Sequence, residues 1–280
     1  RFISNYNFND HKVSFGLNIQ SSNYSNKTKF QFYNIDYATE LNLIKYGLFL
    51  KSSKLILNER LAISLGIRLD QDNFTSDNNI LSNFSPRLAL SYRLSKDNNW
   101  KLNLSSGVYF KIPTYTALGF RDLNNNFINN DLLYTKSNHY VFGIEYNLST
   151  SSRFTIESFY KKYNNYPISV IDNVSLANKG ADFEVLGNEV LLSKGKGKSY
   201  GLEFLYQQKL KNNFYAILSY TFFFSKFSNL DNIYLPSVWD NRHLVSFTGG
   251  YKLKKNWEIS SKLRYTDKTP YAPVNILSSS

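Results

Sequence analysis

Apolar and polar residues alternate along most of this chain. Leu61, Ile63, Leu65, Ile67 and Leu69 fall on one side of an extended strand, with Ala62, Ser64, Gly66, Arg68 and Asp70 on the other. The same alternation runs through 88–94, 100–110, 140–148, 200–206 and 257–265. Period two predicts β-strands with one apolar face. Eleven strands are expected, at about 12–20, 43–56, 61–71, 86–95, 100–110, 138–148, 153–164, 199–210, 214–226, 242–253 and 257–267, with 1–6 as the tail of an earlier one. The 43–56 strand is the least regular, because Leu43, Ile44, Tyr46, Leu48, Phe49 and Leu50 do not alternate cleanly.

A soluble sandwich also alternates, but three features point elsewhere. The runs last about 10–14 residues, longer than the ~5–6 of globular strands and close to the ~9–11 that cross a bilayer at a tilt. Full charges stand mid-strand on the polar face, as with Arg68, Arg93, Glu145, Glu203 and Lys262. Aromatics end the apolar face, as with Trp100 and Phe110, Tyr140, or Trp257 and Tyr265, where a membrane barrel places its girdles. The connections alternate too. Six short turns fall near 7–11, 57–60, 95–99, 148–152, 209–213 and 253–256, and five long loops near 21–39, 71–84, 111–137, 165–198 and 227–241. Short turns on one rim and long loops on the other are the outer-membrane arrangement. The expected fold is therefore all-β, an antiparallel transmembrane β-barrel wall of about eleven strands. Bacterial single-chain barrels have even strand counts, so the sequence reads as an interior piece of a larger barrel, without its closing strands. Its two outer strands are expected to stay unpaired with each other.

Composition sharpens this picture. The 280 residues hold 22 Tyr, 22 Phe and 3 Trp, which favours sheet. Mean hydropathy is negative, at −0.38, but half of each barrel strand faces a polar lumen, so this does not argue for solubility. No Cys is present, which removes disulfides, thiolate nucleophiles and Cys-bound zinc. His11, His139 and His243 are far apart in sequence. The 35 Asn cluster at expected turns, an effect either of turn chemistry or of biased composition. A net charge of +12 raises nucleic-acid binding, but the basic residues are spread over all strands and loops, with no clustered stripe or known module.

At this point the chain resembles the C-terminal barrel portion of a TonB-dependent outer-membrane receptor, of Bacteroidetes type. Ser85-Pro86-Arg87-Leu88 resembles the strand beginning Pro-Arg, and Phe110-Lys111-Ile112-Pro113 the strand end that opens a long loop. Asn130-Asp131-Leu132 and Gly143-Ile144-Glu145 are similar to another stretch of the family, with Asp131 where Pro is usual. Ser199-Tyr200-Gly201-Leu202-Glu203 resembles the strand opening on Gly-x-Glu. Asp240-Asn241-Arg242-His243 and Pro270-Tyr271-Ala272-Pro273 resemble the Asp-x-Arg-His and Pro-Tyr-x-Pro signature. The resemblance implies a 22-stranded barrel with an N-terminal plug. It implies TonB-dependent uptake of a scarce, bulky ligand of the siderophore, vitamin or oligosaccharide class. The implied partners are the plug of the parent chain, TonB, the ligand, and outer-membrane lipid with lipopolysaccharide. The implied location is the outer membrane of a Gram-negative bacterium. No cofactor is expected. A passive porin-like channel is the alternative, followed by an outer-membrane enzyme.

Ligand capture in this architecture belongs to the long loops. Arg121, Asp122, Tyr166, Trp239, Asp240 and Arg242 are the candidates, since Arg and exposed aromatics favour recognition. Each also has a structural reading: Trp239 as an interfacial anchor, Asp240 with Arg242 as a pair at a strand entrance. Lys194-Gly195-Lys196-Gly197-Lys198 reads as a flexible basic loop, either merely solvated or touching anionic lipopolysaccharide. His243 beside Asp240 and Arg242 has no nucleophile at matching depth, and no catalytic or metal motif is expected.

Overall fold

The computed structural model describes residues 1–30, 35–77, 79–94, 99–122, 124–179 and 187–270. Thirteen strands form one sheet: β1 (Phe2–Phe8), β2 (His11–Phe30), β3 (Ile35–Ile56), β4 (Leu61–Asp72), β5 (Ser85–Arg93), β6 (Trp100–Lys111), β7 (Thr135–Asn147), β8 (Ser152–Ser169), β9 (Leu191–Lys211), β10 (Phe214–Ser228), β11 (Tyr234–Pro236), β12 (His243–Lys252) and β13 (Glu258–Thr266). Each pairs antiparallel with its neighbour in sequence, except that β10 passes on to β12 and the short β11 folds back along β10. β1 and β13 lie at opposite ends of this order, and among the described residues no ladder joins them. The wall is open, as expected.

The alternation is realised in register across the sheet. Leu61, Tyr92, Leu102, Ile144, Ile156, Phe204, Tyr220, Val245 and Tyr265 form one cross-strand row on the outer face. One residue away, Ala62, Ser91, Asn103, Gly143, Glu157, Glu203, Thr221, Leu244 and Thr266 form a row on the inner face. A slip of one residue anywhere would exchange these rows, so the pattern pins the register. The outer face leaves large apolar side chains uncovered, with Ile19 at 71% and Leu65 at 56% exposure, a face that suits lipid rather than water. Aromatic belts bracket it. Trp100 lies against Tyr146 at 4.4 Å near the turn rim, and Tyr160, Tyr200 and Phe224 stack towards the loop rim, at 6.3 and 5.2 Å.

The inner face is polar and internally paired. Lys101 Nζ donates to Glu145 at 2.9 Å, Arg153 stands 3.8 Å from the same carboxylate, and Ser91 donates to Asn103 at 2.8 Å. Phe49 is an inner-face aromatic that fits because its cross-strand partner is Gly16: a Cβ there would lie 2.5 Å from the Phe49 ring.

Three expectations need correction. The 21–39 loop is mostly strand: β2 runs to Phe30 and β3 starts at Ile35, paired throughout. The 165–198 loop shrinks because β8 reaches Ser169 and β9 begins at Leu191. The basic Lys194–Lys198 stretch is therefore strand, with Gly195 and Gly197 buried between lysines. Beyond the bilayer neither face meets lipid, so ladders continue through polar sequence that carries no apolar period. The eleven expected strands and the tail are the twelve strands of the main path, and only the short β11 beside them is unexpected. Residues 95–98 of one expected turn, 271–273 of the Pro-Tyr-Ala-Pro stretch and the final serines lie outside the described residues.

Turns on both rims use Asn. Of twelve non-glycine residues with positive φ among those described, eight are Asn. Asn212 and Asn213, at φ 50° and 64°, make the two-residue hairpin between β9 and β10. Asn tolerates this conformation because its short amide bonds locally, so turn chemistry accounts for these eight of the 35 Asn.

Candidate functional site: the capped mouth on the loop rim

The β6–β7 loop does not stand out into solvent. Pro113 ends β6, Thr114 begins the single-turn helix α1 (Tyr115–Leu118), and Gly119 ends it. α1 lies on the inner face of β3, where Leu41 and Leu43 are each 1% exposed. Ala117, Leu118, Leu132, Leu176 and Leu191 complete a dry cluster, ringed by Tyr24, Phe74, Ile112, Tyr115, Phe127 and Tyr166. This explains the broken alternation in β3. Ile44, Tyr46, Leu48 and Leu50 face outward, while Leu41 and Leu43 are apolar on the inner face because the loops cover them. The β8–β9 loop passes over α1 at Gly187, where a φ of +98° and the 2.9 Å that a Cβ would have to the Ala117 nitrogen both require glycine.

Buried polar groups lock these loops together. Asn129 is fully buried and uses its whole amide: Nδ2 donates to the Ala117 carbonyl at 2.9 Å and the Glu189 carbonyl at 2.8 Å, and Oδ1 accepts from the Leu191 N–H at 3.0 Å. One side chain thus ties the β6–β7 loop to the end of the β8–β9 loop. Asn178 donates to the carbonyls of Leu235 and Pro236, and Asn173 bonds Asp231 and the Leu230 N–H, joining the β8–β9 loop to the β10–β12 loop. Lys179 bridges Asp172 and Glu189. Burial pulls the Lys179 ammonium towards a lower pKa, but bonds to both carboxylates outweigh it and hold it above its ordinary value. Asp72 receives the N–H groups of Phe74 and Thr75, the Thr75 hydroxyl and the Tyr134 hydroxyl at 2.8 Å. Burial, then the bond to Asp72, raises the Tyr134 phenol well above the usual range.

The six residues singled out in the sequence fall into two groups. Arg121 stacks on Phe127 at 3.7 Å and donates to the Asn125 carbonyl and to Thr39 Oγ1. Asp122 accepts the N–H groups of Asn124 and Asn126. The Asn126 N–H leads in holding its carboxyl below the ordinary carboxylate range. These two staple their own loop, and Arg121 also lines a cleft of about 500 Å³ with Ser25, Lys27, Thr39, Glu40 and Asn125. Tyr166 and Trp239 each pack against the buried Phe227, at 4.5 and 6.1 Å. Trp239 remains 43% exposed. Asp240 accepts the Ser225 N–H at 3.1 Å. Its Oδ2 has no hydrogen-bond partner, and Arg242 Nη2, 3.3 Å away, makes an ion pair outside hydrogen-bond alignment. Arg242 itself stacks on Phe224 at 4.1 Å. Asn129, Asp72 and Tyr134 went unseen in the sequence. Asn129 stood there only as one of the 35 Asn clustered at expected turns.

A wall of sequence-adjacent strands, apolar outside and polar inside, with loops folded over one mouth, narrows the comparison to outer-membrane barrels. A profile of the family described as TonB dependent receptor-like, beta-barrel matches residues 1–279. The chain belongs to this family. No curated protein matches it. Among solved structures, this TonB-dependent receptor barrel is similar to the alcaligin outer-membrane receptor FauA from Bordetella pertussis (13% identity, TM-score 0.63, covering 95% of this chain and 45% of that one). It is also similar to the pyoverdine outer-membrane receptor FpvA from Pseudomonas aeruginosa PAO1 (15%, 0.65, covering 95% and 41%). The copper transporter OprC is a third (15%, 0.64, covering 94% and 41%). At these identities the likeness is one of fold. The chain spans less than half the length of each of the three.

Proposed function

We propose that this chain is part of the barrel of an outer-membrane receptor that imports a scarce, bulky ligand by TonB-dependent transport in a Gram-negative bacterium. The observation that carries the reading is the interlocked cap over the mouth at the loop rim. A wall whose loops are bolted inward by Asn129 suits capture followed by gated passage, not free diffusion. The plug and the remaining strands belong to the rest of the parent chain, and TonB acts through that part. Outer-membrane lipid and lipopolysaccharide surround it. The ligand is of the siderophore, vitamin or oligosaccharide class; the receptors FauA and FpvA are described with alcaligin and pyoverdine. Ligand contact falls to Trp239 with Tyr166, Asp240 and Arg242, and to the cleft beside Arg121 and Asp122. The chain binds and transports rather than catalyses.

Growth on candidate scarce nutrients tests this directly. Deleting the gene for the parent chain and deleting TonB should abolish uptake of the same nutrient. Uptake that persists without TonB would point to the porin-like alternative.

A further inference from the structure

We propose that the outer surface of β8–β10, just above the loop-side aromatic belt, is a binding site for the phosphates of an outer-leaflet glycolipid. The inference rests on the outer-membrane location proposed above and adds a site to it. Tyr160, Tyr200 and Phe224 face outward in one cross-strand row. Two residues further along each strand, on the same face, the row reads Lys162, Lys198 and Lys226. Three cations stand in direct register on adjacent strands, where like charges destabilise a sheet unless a counter-charge intervenes. Among the described residues no carboxylate lies within ion-pair distance of Lys162, Lys198 or Lys226.

The neighbouring residues extend the patch. The burial of Gly195 and Gly197 alternates with exposure of Lys194 and Lys196 along β9. The two inward positions are glycine because a Cβ would strike the Tyr166 carbonyl oxygen at Gly195 and the Phe227 ring at Gly197. The Lys-Gly-Lys-Gly-Lys stretch therefore turns all its cations to the outer face. Tyr234 of β11 lies over Lys198 at 4.9 Å and steadies it.

Depth selects the occupant. Two residues of strand add about 7 Å beyond the aromatic belt, which marks the level where rings meet headgroups. A ligand there must have its acyl chains along the wall below and its anionic groups at the lysines. A phosphorylated glycolipid of the outer leaflet meets both demands, while a soluble anion meets only the second.

The test uses the full-length parent receptor in detergent, with deep-rough lipopolysaccharide and its enzymatically dephosphorylated form as probes. Each lysine lost should weaken binding about fivefold, or about 1 kcal/mol. The Lys162→Gln/Lys198→Gln/Lys226→Gln variant should therefore bind the phosphorylated probe about a hundredfold more weakly. The inner-face variant Lys262→Gln should bind normally. Inorganic phosphate alone should compete poorly. Equal binding by the triple variant, or equal binding of the dephosphorylated probe by the native receptor, would overturn the proposal. If the triple variant fails to reach its heat-modifiable folded form, the single Lys198→Gln variant, expected fivefold weaker, decides instead. Nutrient uptake is read separately in the same strains, so failure of the lipid site and failure of the receptor reading give different results.

Discussion

Replacing Asn129 with Ala should release the cap while leaving the wall intact. The amide makes three hydrogen bonds in a fully buried position, and the groups it leaves behind include the N–H of Leu191, which is 2% exposed, and the carbonyl of Ala117, which is 0% exposed. At about 1 kcal/mol for each bond, the loss is about 3 kcal/mol. That raises the population of the opened loop about a hundredfold. The strands are untouched, because Asn129 bonds only loop backbone and the first residue of β9. Hydrogen exchange in purified receptor should thus speed up about a hundredfold over Phe120–Leu132, with protection of β6 and β7 unchanged. Asn129→Asp should be no milder, since a carboxylate keeps the acceptor but loses both donors. Exchange within threefold of the native rate in both variants would refute the claim that this amide holds the loops together.

Other outcomes follow from the same geometry. Leu104→Arg, on the outer face, should cost assembly about 2–4 kcal/mol in lipid, whereas Asn103→Arg, on the inner face, should cost little; heat-modifiable mobility after refolding into vesicles reads both, and equal tolerance would sink the assignment of faces. Gly16→Val should drive a methyl group into the Phe49 ring and the Phe2 carbonyl, lowering stability by about 1–3 kcal/mol in urea unfolding, and Phe49→Ala in the same chain should recover only part of it. The cap should also loosen in alkali. Tyr134 and Lys179 both have folded-state pKa values raised above their ordinary 10.0 and 10.5, so their stabilising effect is complete below about pH 10 and lost as pH rises through the raised values. Protease nicking of the loops that is flat from neutral pH to strong alkali would count against this. Trp239→Ala should weaken capture of the native nutrient at least tenfold if that face receives it, as measured by binding to whole cells.

The membrane-spanning part of the fold was legible because lipid imposes the same rule on every strand. An apolar side chain at Leu104 or Ile144 and a polar one at Asn103 or Glu145 leave period two written into the residues. The turns were legible for a related reason: left-handed positions such as Asn212 and Asn213 select a small set of residues. Above the bilayer both constraints lapse. The paired segment from Ser21 to Lys29 carries no apolar face, so it reads as loop although its backbone is laddered to β3. Leu41 and Leu43 obscured their strand because their cover comes from α1, some seventy residues later. The candidate residues were chosen by type, yet type does not show how a side chain spends its polar atoms. Arg121 and Asp122 bond their own loop, while Asn129, a residue suited to any turn, became the centre of three segments.

Because each strand on the main path pairs with the next in sequence, β10 alone skipping the short β11, the wall consists of repeating hairpins whose contacts are local. Removing or duplicating one hairpin would leave every other ladder with its original partner, apart from a single new seam. Such a wall can change circumference in whole-hairpin steps, each new pair needing only a lipid-facing row and a tight turn. The cap has no such freedom. Its bonds join loops that lie far apart in the chain, such as Asn129 with Glu189 and Asn178 with Leu235, so a hairpin inserted between them would pull both anchors out of reach. In this barrel the number of strands between β6 and β12 is held constant by the loops above them rather than by the sheet itself.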